Sequence, residues 1–116
     1  MTQNRNKLID LFIGNASNTI LHRILEKAIL GLKNHEVAGK YRKEINTSYD
    51  AAKKYREKIN PLNPPFPERD IKEIKDKILR RVKSELNTRI SLGYLNIDIN
   101  SLEKETENFL REMKVA

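Results

Sequence analysis

Histidine is the side chain best suited to metal binding and acid–base catalysis, and the chain contains two. His22 and His35 are too far apart in sequence for a helical metal site, which needs two histidines about four residues apart. We therefore interpret both as residues of a helix face or a turn. The chain has no cysteine, which excludes disulfides, thiolate zinc sites and cysteine nucleophiles. The sequence thus predicts no catalytic residue, no metal site and no cofactor, and we expect that the protein is not an enzyme.

The segment 96–107 partly matches a calcium-binding loop. Side chains with oxygen ligands fall at its first, third, fifth and twelfth positions, which are Asn96, Asp98, Asn100 and Glu107. However, Ser101 stands where the sharp turn needs glycine, and Glu103 stands where a buried apolar residue is expected. A polar loop that leads into a helix explains the same residues more simply, so we predict no calcium site.

Basic side chains are the other group with a chemical role to consider. The net charge is +7, and residues 93–116 are the acidic exception, with three basic and five acidic side chains. A basic protein attracts nucleic acid, although charged helix faces also serve solubility. Two clusters on predicted helices are the candidate nucleic-acid contacts: Lys53, Lys54, Arg56, Lys58, Lys77, Arg80, Arg81 and Lys83.

Five helices are expected to position these residues, and no segment has the alternation of a strand. The predicted helices cover residues 4–13, 17–33, 36–60, 68–92 and a C-terminal segment that opens at Asn100. Gly14 and Gly93 are suited to end helices. Asn100 and Glu103 have the spacing of a capping box. Residues 36–60 also partly match a helix-turn-helix, but Arg42 at the turn position favours one continuous helix.

The third predicted helix carries a seam of apolar and small residues with an average spacing of 3.5 residues. The seam consists of Ala38, Tyr41, Ile45, Ser48, Ala52, Tyr55 and Ile59. This period is typical of paired helices, either within one chain or between two copies. We name it the candidate interaction seam.

A proline-rich connector, Pro61–Pro67, separates the third and fourth predicted helices. Its four prolines favour an extended conformation over a helix. The connector also fits the loose ligand pattern of Src-homology-3-type domains, but a stiff linker is the simpler interpretation. Pro67 suits the first turn of the helix that follows.

Together these patterns predict an all-α protein with one domain over residues 1–116. We expect a compact antiparallel bundle of four to five helices, with the proline-rich connector between the third and fourth. The predicted function is a protein–protein interaction or assembly module that self-associates or binds another protein. Nucleic-acid binding through the basic helix faces is the alternative. We expect no signal peptide, because Asp10 interrupts the N-terminal apolar run and no small-residue cleavage site follows it. The sequence contains no apolar stretch of about 20 residues, so we expect a cytoplasmic protein without a membrane partner.

Overall fold

The structure is a computed structural model that describes residues 4–31, 35–60, 66–93 and 97–115. These residues form four α-helices and one short 3-10 turn, and they contain no strand. The elements are α1 (Arg5–Gly31), α2 (His35–Ile59), α3 (Glu68–Ser91), the 3-10 turn η1 (Ile99–Ser101) and α4 (Leu102–Glu112). The predicted all-α class is confirmed.

α1 continues through Gly14, so the predicted helix end at this residue is wrong and the first two predicted helices are one. Gly14 does not take the left-handed conformation that a glycine helix stop requires, whereas Gly93, just after α3, does with a φ of 95°. Phe12, Ala16 and Ile20 are fully buried on both sides of Gly14. Burial of this continuous apolar face outweighs the low helix propensity of one glycine.

α1 is the central helix of the fold. It packs against α2 in the antiparallel direction, with Thr19 beside Ser48 and Glu26 beside Arg42. It packs against α3 in the parallel direction, with Arg5 beside Asp70 and Gly14 beside Arg81, and α2 and α3 have few contacts with each other. Buried residues from all four helices form one hydrophobic core around α1.

The predictions for α2 and α3 agree with the structure where it describes them. α2 is one continuous helix through Arg42, with no helix-turn-helix. α3 begins at Glu68, directly after Pro67, and carries Glu68 and Asp70 in its first turn. Of the predicted connector Pro61–Pro67, residues 61–65 lie outside the described residues, and these include the first two residues of the Src-homology-3 pattern, Pro64 and Pro65.

α4 begins differently from the prediction. The side chain of Asp98, rather than that of Asn100, accepts a hydrogen bond at the start of η1, from the backbone N–H of Asn100 at 3.1 Å. Glu103 does not close a capping box, because its carboxylate accepts a hydrogen bond from Lys75 on α3. The first turn of α4 is therefore tied to α3 by an ion pair, and the predicted capping box is wrong.

Candidate functional site

The candidate interaction seam on α2 packs against the core of its own chain. Four of its residues are buried, namely Ala38, Ile45, Ser48 and Ala52. The other three are partly buried against the core, namely Tyr41, Tyr55 and Ile59. The Ser48 hydroxyl lies 2.7 Å from the Thr19 hydroxyl of α1. The heptad spacing is thus explained by helix pairing within the chain.

The basic residues of α2 fall into two groups. Lys53, Lys54 and Lys58 are exposed. Arg56 is only 1% exposed and is one of the largest fully buried side chains. This burial corrects the prediction that Arg56 lies on a basic helix face.

The guanidinium of Arg56 holds the C-terminal segment against α2. It donates hydrogen bonds to the backbone carbonyl oxygens of Met113 (2.9 Å), Lys114 (2.9 Å) and Asn60 (3.1 Å). It also lies 4.3 Å from the centroid of the Phe66 ring, a cation–π arrangement. Burial lowers the pKa of Arg56 from its ordinary value, but arginine stays protonated in proteins. The charged guanidinium therefore stabilises the fold through these contacts within the chain.

The basic residues of α3 have a different environment. Lys77 pairs with Glu73 one turn earlier, at 3.1 Å. Arg80, Arg81 and Lys83 are exposed, and they form no ion pair or hydrogen bond with any residue that the structure describes. We call these three residues the basic face of α3. It is a cluster of three cations whose charge is not compensated by a direct contact.

The acidic residues of α4 compensate other cations. They pair with α1 and with the first half of α3, at nitrogen–oxygen distances from 2.5 to 3.3 Å. The pairs are Lys75–Glu103, Lys75–Glu107, Lys27–Glu105 and Arg23–Glu112. The hydrogen bond between Lys75 and Glu107 raises the pKa of Lys75 and lowers the pKa of Glu107. The acidic residues of α4 thus form ion pairs within the fold, and none of these ion pairs involves the basic face of α3.

A groove of about 620 Å³ lies between α1 and the second half of α3. Arg80 and Arg81 line it from α3, together with Arg89, which donates to the Glu85 carboxylate at 2.8 Å. Three guanidinium groups against one carboxylate give the groove a positive charge. Gly14 contributes to its close packing, because a Cβ atom there would lie 3.3 Å from Nη1 of Arg81.

Three polar residues of α1 form the opposite wall of this groove: Ser17, Asn18 and His22. Nδ1 of His22 lies 2.7 Å from the carbonyl oxygen of Asn18, so this nitrogen donates and Nε2 carries the lone pair of the neutral ring. The His22 ring also packs beside the Tyr41 ring of α2, with 5.7 Å between centroids and the ring planes tilted by 37°.

The two predicted basic clusters do not form one surface. α3 contributes its cations to grooves with α1 and η1. Lys53 of α2 instead lines a groove with Glu112 and Lys114 of the C-terminal segment. Because α1 lies between α2 and α3, the two clusters have different neighbours. The α3 cluster lines the groove that contains three arginines, and the α2 cluster does not.

Comparison with protein-family models, with characterised proteins and with solved structures found no match. Within the described ranges, no group of three or more histidine, aspartate or glutamate residues is arranged to hold a metal ion. None of the described helices has the length and apolar character needed to cross a membrane.

Sequence analysis did not connect the groove residues on α1, because the predicted break placed Gly14 outside the helix that carries Ser17, Asn18 and His22. Once α1 is continuous, Gly14, Ser17, Asn18 and His22 recur at helical spacing and form a polar stripe beside the apolar one. This stripe is the signal that identifies the second wall of the groove.

Proposed function

We propose that the protein binds nucleic acid through its phosphate backbone, with the basic face of α3 as the contact surface. The observation that supports this proposal is that Arg80, Arg81 and Lys83 are exposed and have no ion-pair partner among the described residues. Most of the affinity of such surfaces comes from the release of counterions when lysine and arginine contact phosphates. Cations already paired within the protein contribute less to this effect.

Neighbouring polar side chains fit the same kind of contact. Ser84 and Asn87 are exposed and line a shallow groove with Arg80 and Lys83. Serine and asparagine commonly donate to phosphate oxygens beside arginine and lysine. From Arg80 to Ser91 the helix extends roughly 16 Å, enough to contact several phosphates along one strand.

A duplex is the expected form of nucleic acid. Single-strand binding surfaces use exposed aromatic rings on which bases stack. The described tyrosine and phenylalanine residues are buried or partly buried in the core, and none lies on the basic face of α3. Backbone contact without base stacking favours duplex binding with little sequence preference.

The proposal is tested by fluorescence anisotropy with a labelled hairpin duplex of about 20 base pairs at about 50 mM salt. Wild-type protein should bind, and the affinity should fall steeply as the salt concentration rises. The variant Arg80→Gln/Arg81→Gln/Lys83→Gln should bind about tenfold or more weakly. Its slope of log affinity against log salt should become shallower by about 0.9 for each phosphate that the variant no longer neutralises.

The matched control is Lys53→Gln/Lys54→Gln/Lys58→Gln, which removes the same charge from exposed positions on α2. It should retain most of the affinity and the salt dependence of wild-type protein. Equal weakening in the two variants would show that net charge alone attracts the duplex. No binding by wild-type protein at this salt concentration would refute the proposal.

Self-association is the second candidate function, and a different surface now supports it. Ile90 and Leu92, at the end of α3, are 43% and 74% exposed, and they are the large apolar side chains most exposed to solvent among the described residues. Sedimentation equilibrium tests this candidate. A dimer that Leu92→Asp dissociates would support it, and a monomer at micromolar concentration would refute it.

A further inference from the structure

Two grooves lie along the second half of α3, one on each side of the helix. The first is the groove of about 620 Å³ that α3 shares with α1, and the second, of about 400 Å³, lies between α3 and η1. Arg81 lines the first groove, Lys83 lines the second, and Arg80 lines both. Between the two grooves α3 stands out from its neighbours and exposes one side, which we call the outer face of α3.

The outer face of α3 is polar and has no carboxylate of its own. Its side chains recur at intervals of three and four residues and are all exposed, so they form one continuous surface. They are Arg80, Lys83, Ser84, Asn87, Thr88 and Ser91. Glu85 is the one acidic residue between Arg80 and Ser91 in the sequence, and it pairs with Arg89 at 2.8 Å in the groove with α1. Asp76 lies one turn before Arg80, at the end of the face away from Asn87.

Asn87 is the side chain of this face that is best suited to contact a base. Thr88 and Ser91 donate hydrogen bonds to carbonyl oxygens one turn earlier, at 3.1 and 3.0 Å, so their hydroxyl protons are used within the helix. The side-chain amide of Asn87 is exposed and makes no hydrogen bond with any residue that the structure describes. An amide donates and accepts at once, which matches the N7 acceptor and the N6 donor of adenine in the major groove.

The dimensions of this part of the fold match the major groove of B-form DNA. An α-helix with its side chains is about 10–12 Å across, and the B-form major groove is about 12 Å wide. The short side chains from Ser84 to Ser91 allow the helix to approach the base edges closely. The grooves on both sides of α3 leave room for the two phosphate backbones that border the major groove, with Arg81 on one side and Lys83 on the other.

We propose that the outer face of α3 enters the major groove of B-form DNA and that Asn87 contacts a base edge there. This inference rests on the proposed function, because phosphate contacts of the basic face of α3 hold the duplex in place. It deepens that function by naming DNA rather than RNA as the duplex. A single base contact adds only a modest sequence preference to binding that depends mainly on the phosphates.

The first test compares a DNA hairpin and an RNA hairpin of the same sequence, each of about 20 base pairs, by fluorescence anisotropy at about 50 mM salt. Wild-type protein should bind the DNA hairpin about tenfold more tightly, because the major groove of A-form RNA is too deep and narrow for a helix to enter. RNA that binds as tightly as DNA, or more tightly, would overturn the inference.

The second test concerns Asn87 and uses two DNA hairpins of equal length, one with both kinds of base pair and one with G·C pairs alone. Wild-type protein should prefer the hairpin with A·T pairs by about fivefold or more, the lower end of the effect of one bidentate base contact. Asn87→Ala should bind both hairpins equally. Asn46→Ala, which removes an exposed amide from α2, is the matched control and should keep the preference.

The stability of Asn87→Ala separates a loss of base contact from a structural defect. Alanine favours a helix over asparagine, and the amide makes no contact within the described fold, so the melting temperature should not fall. A clear fall in the melting temperature would show that Asn87 has a structural role, and it would overturn its assignment as a base contact.

The outcomes for this inference and for the proposed function are distinct. Equal binding of DNA and RNA that still weakens in Arg80→Gln/Arg81→Gln/Lys83→Gln overturns the inference and leaves the proposed function intact. An adenine preference that persists in Asn87→Ala, or that is absent from wild-type protein, overturns the role of Asn87. Absence of binding to either duplex refutes the proposed function and this inference together.

Discussion

Arg56 on α2 and the pair Arg80–Arg81 on α3 show two opposite uses of arginine in one small fold. Arg56 is buried, and backbone carbonyl groups of the C-terminal segment accept its hydrogen bonds. Arg80 and Arg81 are exposed and have no ion pair with any described residue. In both places arginine lies within a basic run of the sequence, so composition does not distinguish them. The difference comes from what the rest of the chain brings to each side chain.

We therefore expect that a buried, hydrogen-bonded cation such as Arg56 contributes to stability. Exposed cations without an ion pair, such as Arg80 and Arg81, should contribute to binding instead. A buried guanidinium with three carbonyl partners cannot be removed without leaving those carbonyls unsatisfied. An exposed one without a partner is removed at little cost to folding, because water solvates the surface that remains. Substitutions at both kinds of position test this expectation.

The largest effect is expected from Arg56→Met. This change removes three hydrogen bonds to backbone carbonyls and the stacking on Phe66. We expect the free energy of unfolding to fall by about 2–4 kcal/mol. Thermal unfolding followed by circular dichroism would show this decrease. Lys54→Met, an exposed position on the same helix, is the control and should change stability by less than about 0.5 kcal/mol. Equal stability of the two variants would contradict the structural role of Arg56.

The replacement of Gly14 should change the free energy of unfolding by a smaller amount, and it should raise it. Gly14→Ala adds a Cβ atom 3.3 Å from Nη1 of Arg81, and the flexible end of this exposed side chain can move away. Since alanine favours a helix over glycine by about 1 kcal/mol, the free energy of unfolding should rise by up to this amount. Chemical denaturation measures the change.

Gly93→Ala is the matched control for this prediction. Gly93 has a φ of 95° and no atom within 4 Å of an added Cβ, so only backbone strain acts there. This variant should be less stable than wild type by about 1 kcal/mol. A destabilisation of the same size in Gly14→Ala would mean that α1 ends at Gly14 after all.

Arg80→Gln/Arg81→Gln should have less effect on stability than either of these changes. We expect a shift of less than about 0.5 kcal/mol in the free energy of unfolding, because the structure gives these side chains no polar partner. Chemical denaturation, in parallel with the duplex-binding assay, would show reduced affinity with unchanged stability. A large fall in stability would break the distinction between the two kinds of arginine.

The exposed ion pair between Lys75 and Glu107 should make only a small contribution to stability, and this contribution should depend on pH. The hydrogen bond from Lys75 lowers the pKa of Glu107, so this pair stabilises the fold above the ordinary glutamate pKa and loses its effect as the pH falls through the lower, folded value. Glu107→Gln should therefore be slightly less stable than wild type near neutral pH. The difference should shrink in acid, which melting curves at about pH 7 and about pH 3 would show. A difference that does not change with pH would contradict this pairing.

Local sequence signals predicted the elements that depend on local structure. α2 and α3 follow from their apolar spacing, and Gly93 ends α3 because a glycine there takes the left-handed conformation. The prediction failed at Gly14, where buried residues on both sides continue the helix. It failed at Asn100, where Asp98 supplies the cap.

The candidate site depended on contacts between distant parts of the chain. Arg56 is buried because Met113, 57 residues later, supplies an acceptor. The basic face of α3 is unpaired because the α4 carboxylates bind Arg23, Lys27 and Lys75 instead. Neither the burial of Arg56 nor the unpaired state of the basic face of α3 can be predicted from the spacing of residues within one helix. The sequence identified Arg80, Arg81 and Lys83 as candidates, and the fold distinguishes them from Arg56.

NMR can locate the bound duplex on the protein and thereby tests the basic face of α3 directly. Titration of labelled protein with the hairpin duplex should shift backbone amide signals of α3 from Lys77 to Ser91, together with the Arg80 and Arg81 side-chain Nε–H signals. The signals of residues 53–58 on α2 should stay in place. Shifts concentrated on α2, or no shifts on α3 at a saturating duplex concentration, would contradict the assignment of the basic face of α3 as the nucleic-acid contact.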